Sequence, residues 1–134
     1  MRFERHIPLV LFFVACGLMA PASAAEVDYL RDVKPVLKDR CFACHGALKQ
    51  QSGLRLDSAA LIRQGGDGGA AVIPGDAASS PLLERIASRD DSIRMPPEGE
   101  PLSSEQIAHI GRWVMQGATG PEDERAETDP REHW

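Results

Sequence analysis

The sequence predicts a small all-α fold of three or four short helices joined by long loops, with little sheet. The segment Leu30–Leu37 has apolar residues at helical spacing. Two later segments open with helix-start signals: Ser80 before Pro81, and Ser103 in capping-box register with Gln106. Aromatic residues make up only 5% of the chain. Aliphatic side chains must therefore form a thin core, which a large apolar cofactor would help to fill.

The N-terminal segment has the features of a secretory signal. Basic residues precede the apolar run 7–15, and the small residues 22–24 form a cleavage pattern. The run is short for a membrane-spanning helix. We therefore predict that residues 1–24 are a signal peptide, cleaved after Ala24, and that the mature protein is periplasmic or otherwise exported. Cys16 gives a minor alternative, because its surroundings faintly resemble a lipoprotein cleavage box and lipidation would tether the protein.

The charge balance is acidic. The chain has 15 Lys and Arg against 20 Asp and Glu, a formal net charge of −5. This balance argues against nucleic acid or an anionic membrane as a partner. It is compatible with docking to a basic protein surface. After signal cleavage we expect no stable membrane span.

The first and last helices have predictable starts. We expect the first to run from about Asp32, as N-cap, into the Cys41 region, because Pro35 is tolerated in a first turn. The last helix presents Ile107, Ile110, Val114 and Ala118 on one face, and Gly117 can end it. We expect these two helices to cross beside Gly111, where a glycine permits close approach.

The middle and the end of the chain are mostly loops. Gly53–Asp57 alternates apolar and charged residues, and Ser58 can cap a short helix. Gly65–Gly69 must be a loop, and no Lys-Ser/Thr follows it as a phosphate-binding loop requires. Residues 121–134 are highly charged without apolar periodicity, so we predict a linker or frayed end after a domain spanning 25–120.

The stretch Cys41-x-x-Cys44-His45 is the attachment signature of c-type haem. Two thiols on one helical turn can reach the two vinyl groups along one porphyrin edge. The adjacent imidazole can then lie beneath the iron as the proximal ligand. The sequence therefore predicts one covalent haem (heme c) per chain, attached through Cys41 and Cys44 and coordinated by His45.

Three other uses of this cluster are open but weaker. A Cys41–Cys44 disulfide would leave His45 without a role. A thioredoxin-like dithiol usually follows a strand, whereas here a helix leads in. A tetrahedral zinc site needs a fourth ligand and usually a second cysteine pair, which the chain lacks.

The predicted sixth iron ligand is Met95. It lies in the polar, turn-rich loop "SIRMPPEGE", where two prolines stiffen the backbone. The other candidates fit less well: Met115 flanks the last helix's apolar stripe and should pack there, His109 falls nearly opposite that stripe, and His133 is in the charged tail. We interpret Trp113 as a packing residue at a helix contact.

With these residues placed, the chain resembles a known family. The ordered stretches "VDYLRDVKPVLKDRCFACHG", "GLRLDS", "VIPGDAASSPLLERI", "RMPPEGEPLSSEQI" and "RWVMQGA" resemble the planctomycete-type cytochrome c domain. The resemblance implies a small class I cytochrome c-like fold, with N- and C-terminal helices crossing around a covalent haem. It also implies Cys41, Cys44 and His45 as the haem-binding motif and Met95 as the distal ligand. Such domains usually begin much larger proteins, so further domains after this segment remain open.

The predicted function is electron transfer rather than catalysis. With His45 and Met95 both bound, the iron would have no open position, and a thioether ligand raises the reduction potential. We expect an unidentified redox protein as partner. The alternatives are a sensor or catalytic haem with an open sixth position, or a role within a larger periplasmic protein. Arg94, next to Met95, either pairs with a propionate carboxylate of the haem or is a solvated surface arginine. The second interpretation is slightly favoured.

Overall fold

The computed structural model describes residues 25–133, and the regular structure of this part is helical. Its α-helices are α1 (Lys34–Arg40), α2 (Phe42–His45), α3 (Ala59–Gln64), α4 (Pro81–Ala87) and α5 (Ser104–Met115). Between residues 25 and 133 there are isolated β-bridges but no strand, which agrees with the predicted all-α class. No helix in this part is long and apolar enough to cross a membrane. The predicted signal peptide, its cleavage site and Cys16 lie outside the described residues.

The first helix begins earlier than predicted, with a π-helical turn over Tyr29–Val33 that leads into α1. Asp28 is the N-cap, and its carboxylate accepts a hydrogen bond of 2.7 Å from the Arg31 N–H. Pro35 has no N–H, and its ring crowds the carbonyl one α-turn earlier. A wide turn avoids this conflict, because the Lys34 N–H bonds to the Tyr29 carbonyl instead.

The prediction that Asp32 is the N-cap was therefore wrong. Asp32 lies inside the π-helical turn, where its carboxylate accepts a 2.8 Å hydrogen bond from the Asp28 N–H. The same carboxylate forms an ion pair of 2.7 Å with Arg31. The pairing of Asp28 and Asp32 closes the helix start from both sides, much as a capping box does.

The caps of the later helices agree with the sequence signals, with one variation. The Ser58 hydroxyl accepts from Leu61 N–H at the start of α3, and Ser103 and Gln106 form a complete capping box on α5. Ser80 occupies the N-cap position of α4, but its hydroxyl turns away from the helix. It accepts from the Ile73 N–H at 2.8 Å and so ties the preceding loop to α4.

The core forms around α5. Of the predicted apolar stripe, Ile110, Val114 and Ala118 are fully buried and Ile107 is partly buried; they pack with the fully buried Val33 and Leu37 of the first helix. Helix α5 ends at Met115, and Gly117, just past the C-cap Gln116, has the positive φ of 105° that suits a glycine after a helix.

The first helix meets the last through an aromatic pair. The rings of Tyr29 and Trp113 stack with centroids 5.2 Å apart, and the Trp113 indole N–H donates to the Thr119 carbonyl at 2.7 Å. The prediction that Trp113 is a packing residue is confirmed. Gly111, in contrast, faces α4: a Cβ there would lie 3.7 Å from Leu83 Cδ1, with no atom of the first helix within 4 Å. The predicted contact at Gly111 was wrong, and crossing of these helices around a haem stays a prediction.

The charged C-terminal segment 121–133 makes specific contacts with the domain. Glu124 forms an ion pair of 2.6 Å with Lys34 and accepts a hydrogen bond from the Ala59 N–H at the start of α3. The Glu127 N–H donates to the buried carboxylate of Asp57 at 2.9 Å. These bonds hold the segment against the domain, although its sequence has no apolar periodicity.

Candidate haem site

The cysteine–histidine cluster lies on a single helical turn. Helix α1 ends at Arg40, and Cys41 leads into α2, so the N–H groups of Cys44 and His45 both bond to the Cys41 carbonyl, at 3.1 and 2.9 Å. The Cys41 N–H bonds back to Leu37 of α1 at 2.8 Å. Cys41 and Cys44 are both free thiols, so the structure contains no Cys41–Cys44 disulfide.

His45 is fixed through its backbone but not through its ring. Its carbonyl accepts a 2.8 Å hydrogen bond from the Leu56 N–H, and the next residue, Gly46, bonds to the Lys49 carbonyl at 2.9 Å. The ring atom Nδ1 is buried and has no hydrogen-bond partner. A buried polar atom without a partner costs free energy, so this imidazole is suited to receive a partner from a bound group.

Met95 is held in the long loop between α4 and α5. Its N–H donates to the Arg85 carbonyl near the end of α4 at 3.0 Å. The side chain is partly buried and packs against the hydrophobic core. The position of Met95 is thus set by the backbone hydrogen bond to the end of α4 and by the apolar contacts of its side chain.

The predicted site residues converge on one cavity of about 290 Å³, lined by Cys41, Cys44, His45 and Met95. The competing candidates lie elsewhere. Neither His109 nor Met115 lines this cavity. Met115 is 58% exposed, and its sulfur accepts from the Ala77 N–H at 3.4 Å, so the expectation that it packs beside the stripe was wrong.

Sequence reasoning missed most of the cavity wall. One part is aliphatic, with Leu54 and Leu56 from the segment after the cluster and Leu82 and Ile86 from α4. Another part consists of small residues within the run Gly66–Ala71. The signal for the second part was present, because a run of small residues lets a flat ligand approach the backbone closely.

A glycine turn supports the small-residue wall. Gly65 has a φ of +80°, and a Cβ on it would lie 2.1 Å from the Gly69 carbonyl oxygen. The Gly66 and Gly69 backbones hydrogen-bond to each other at 2.9–3.0 Å and close the turn. Only glycine fits at position 65, so the loop predicted from "GGDGG" has a defined conformation that supports the cavity wall.

The charges near the cavity are unevenly distributed. Arg40 and Arg85 line it, whereas none of the described residues that line it is Asp or Glu. Burial raises the pKa of the Cys41 thiol to about 11, and the positive charge of Arg40 lowers it only in part. Cys41 is therefore a neutral thiol at neutral pH.

Arg94 is neither solvated nor part of the cavity lining. Its side chain is 12% exposed and forms an ion pair of 3.2 Å with Asp91. One guanidinium nitrogen also donates to the Pro96 carbonyl at 2.9 Å. The interpretation of Arg94 as a solvated arginine was wrong, because its guanidinium folds back onto its own loop.

The residues present fit a c-type haem. Two free thiols lie three positions apart in the sequence and line the cavity. The histidine after the second thiol has an unpartnered ring nitrogen, and a methionine lines the same cavity. Cys41 and Cys44 would hold the porphyrin, and His45 and Met95 would bind its iron. Within the described residues no group of three or more His, Cys, Asp or Glu could hold a metal ion, so a zinc site has no ligand set there.

Comparison with known proteins gives one finding. Residues 41–99 match the family model described as planctomycete cytochrome C. Searches of curated proteins and of solved structures gave no match. The matched segment begins at Cys41 and includes Cys44, His45 and Met95. A cytochrome c domain implies a haem, and it points to electron transfer rather than catalysis. The sequence resemblance is thus confirmed, because residues 41–99, which contain all four predicted site residues, match the planctomycete cytochrome C family model.

Proposed function

We propose that this protein is an exported electron carrier with one covalent haem c, coordinated by His45 and Met95. The observation that carries the proposal is the convergence of four residues on one apolar cavity. Cys41, Cys44 and His45 reach it from a single turn, and Met95 reaches it from a loop far along the chain. The signal-like segment 1–24 supports export.

The cluster's backbone would orient the covalent attachment. Each cysteine S–H would add across one vinyl group, with the sulfur bonding to one vinyl carbon and the hydrogen going to the other. The turn from Cys41 into α2 would present both sulfurs to one porphyrin edge, and the bond from the Leu56 N–H to the His45 carbonyl holds the His45 backbone beside them. Because two covalent bonds would attach the haem, its loss from the intact chain would be negligible.

The same residues favour electron transfer over ligand exchange. When bound, the haem supplies a one-electron ferric–ferrous couple. Met95 is positioned by its bond to the Arg85 carbonyl, so the sixth position would be filled by a thioether, which favours the reduced state. Leu54, Leu82 and Ile86 would exclude water from the ring faces. We expect exchange of electrons with a separate redox protein.

Replacement of Met95 by Ala tests the ligation. We expect Met95→Ala to keep its covalent haem but to lose the weak ferric band of methionine–iron ligation, to bind carbon monoxide in the ferrous state, and to have a lower reduction potential. Absorption spectra with and without carbon monoxide, together with a redox titration, measure these effects. Met115→Ala is the matched control, because Met115 is exposed and does not line the cavity.

Two results would count against the proposed ligation. Ready binding of carbon monoxide by the unaltered protein would indicate an open sixth position and favour a sensor or catalytic haem. Equal spectra for Met95→Ala and Met115→Ala would remove Met95 from the iron.

A further inference from the structure

The cavity has a charge pattern that its proposed thiol and iron ligands do not explain. Two arginines, Arg40 and Arg85, line an otherwise largely apolar space, and no carboxylate of the described residues shares the lining with them. This occurs in a chain where acidic residues outnumber basic ones, 20 to 15. Arg40 is half-buried and Arg85 is exposed, so both guanidinium groups can reach the mouth of the cavity and are suited to a ligand that brings its own negative charges.

Neither arginine has an acidic partner. Of the thirteen Lys and Arg residues in 25–133, six form ion pairs, and Arg40 and Arg85 are the two of the other seven that line the cavity; the six are Arg31, Lys34, Lys38, Arg55, Arg94 and Arg131. The only side-chain hydrogen bonds of Arg40 and Arg85 there go to backbone carbonyls, of Glu100 and of Ile93 at 3.4 Å. A guanidinium carries five N–H donors, so most donors of both residues are free for a ligand.

The two arginines stand at opposite ends of the loop that carries Met95. Arg85 belongs to α4 and contacts the loop at Ile93, before Met95, whereas Arg40 ends α1 and contacts the loop at Glu100, after it. Arg40 is also the residue directly before Cys41 and acts electrostatically on its thiol. Both guanidinium groups therefore lie next to the residues that would hold a haem.

We propose that Arg40 and Arg85 bind the two propionate carboxylates of the haem. This inference rests on the proposed function. Haem is an apolar ring with two carboxylates, which matches an apolar cavity with two unpaired arginines. Arginine pairs with carboxylates through parallel N–H···O bonds, and such pairs are strongest where the surroundings are apolar. The role considered for Arg94 from the sequence belongs instead to these two residues.

A propionate pair changes the reduction potential in a known direction. A nearby positive charge disfavours the ferric state, which carries one more positive charge than the ferrous state. Replacing either arginine with a neutral residue should therefore lower the potential. Replacing it with Lys should restore most of the wild-type potential, because the positive charge remains. Recovery should be incomplete, because Lys cannot form the parallel pair of N–H···O bonds.

Redox titration of exported, haem-loaded variants tests the proposal. We expect lower potentials for Arg40→Gln and Arg85→Gln than for wild type, recovery in Arg40→Lys and Arg85→Lys, and an unchanged methionine–iron band in all four. Arg112→Gln is the matched control, because Arg112 is exposed on α5 and does not line the cavity.

Each alternative outcome decides the question. Potentials equal to that of Arg112→Gln would overturn the proposal. Loss of the methionine–iron band in Arg40→Gln or Arg85→Gln would also overturn it, by showing that the arginine positions the Met95 loop. If Arg40→Gln does not accumulate, Arg85→Gln decides by the same criteria. A wild-type protein without haem would instead refute the proposed function itself.

Discussion

His45 is the residue whose surroundings are most specific to a bound group. Its backbone is tied on both sides, by Leu56 to its carbonyl and by Lys49 to the following N–H, while its buried Nδ1 has no partner. A folded protein normally satisfies such an atom, because burial removes it from water. With its backbone fixed and its ring free of protein hydrogen bonds, the imidazole would be able to turn toward a bound iron without unfolding the turn.

A second single-residue effect concerns Asp32 in the π-helical turn. Hydrogen bonding from Arg31, followed by that from the Asp28 N–H, lowers the pKa of the Asp32 carboxyl from 3.8 to about 2. A carboxyl with a lowered folded-state pKa stabilises the fold above its unfolded pKa, and this stabilisation is lost as the pH falls through the folded value. We expect the stability difference between wild type and Asp32→Asn to shrink as the pH falls from about 4 to about 2.

Urea unfolding over this pH range measures the Asp32 effect. Asp123→Asn is the control, because Asp123 is exposed and makes no side-chain hydrogen bond among the described residues. A difference between wild type and Asp32→Asn that is constant from pH 6 to pH 2 would contradict the role assigned to this carboxylate.

At the scale of elements, the glycine turn 65–69 shapes one wall of the cavity. Gly65→Ala would place a Cβ 2.1 Å from the Gly69 carbonyl in a backbone of positive φ, where an L side chain is strained. We expect a loss of about 1–3 kcal/mol in the free energy of unfolding. Gly68→Ala is the matched control, because a Cβ there meets no atom within 4 Å.

Urea unfolding compares the two glycine variants. Gly68→Ala should stay within about 0.5 kcal/mol of wild type. Equal stabilities for Gly65→Ala and Gly68→Ala would show that the turn does not require a glycine at position 65.

At the scale of the whole molecule, the C-terminal segment 121–133 behaves as part of the domain. The Glu124 side chain is only 6% exposed and joins Lys34 of α1 to the start of α3. It also lies near the buried Tyr29 hydroxyl; burial, and then the Glu124 charge, raise the pKa of Tyr29. One carboxylate thus links the first helix, α3 and the C-terminal segment.

Glu124→Gln tests whether this link stabilises the fold. The amide cannot form the ion pair with Lys34, so we expect a loss of about 1–3 kcal/mol in unfolding free energy and faster proteolysis after residue 120. Glu122→Gln is the control, because Glu122 is exposed. Equal stability and equal cleavage of the two variants would favour the linker or frayed end predicted from the sequence.

How much of the structure could be predicted from the sequence differs between these scales for a physical reason. Local signals predicted the turn Cys41–His45, the cap at Ser58 and the capping box at Ser103, because each depends on residues within a few positions. Asp32 was misassigned because a π-helical turn at Pro35 breaks the usual helical register.

Contacts between distant segments were harder to predict. The small-residue wall of the cavity, the orientation of Gly111 toward α4 and the docking of Glu124 depend on tertiary packing, which no spacing rule encodes. Arg40 and Arg85 are 45 positions apart and become neighbours of one cavity only in the fold. Met95 does line the cavity, as its place before two prolines led us to expect, whereas its ligation of iron stays a prediction.

The central claim is that Cys41 and Cys44 bind one haem covalently. The most direct measurement is the absorption spectrum and intact mass of the chain, exported with the haem-attachment machinery, beside a Cys41→Ser/Cys44→Ser double variant. We expect a c-type spectrum and the added mass of one haem that survives denaturation, both lost in the double variant. A purified wild-type chain without haem, or one whose haem dissociates on denaturation, would contradict the account.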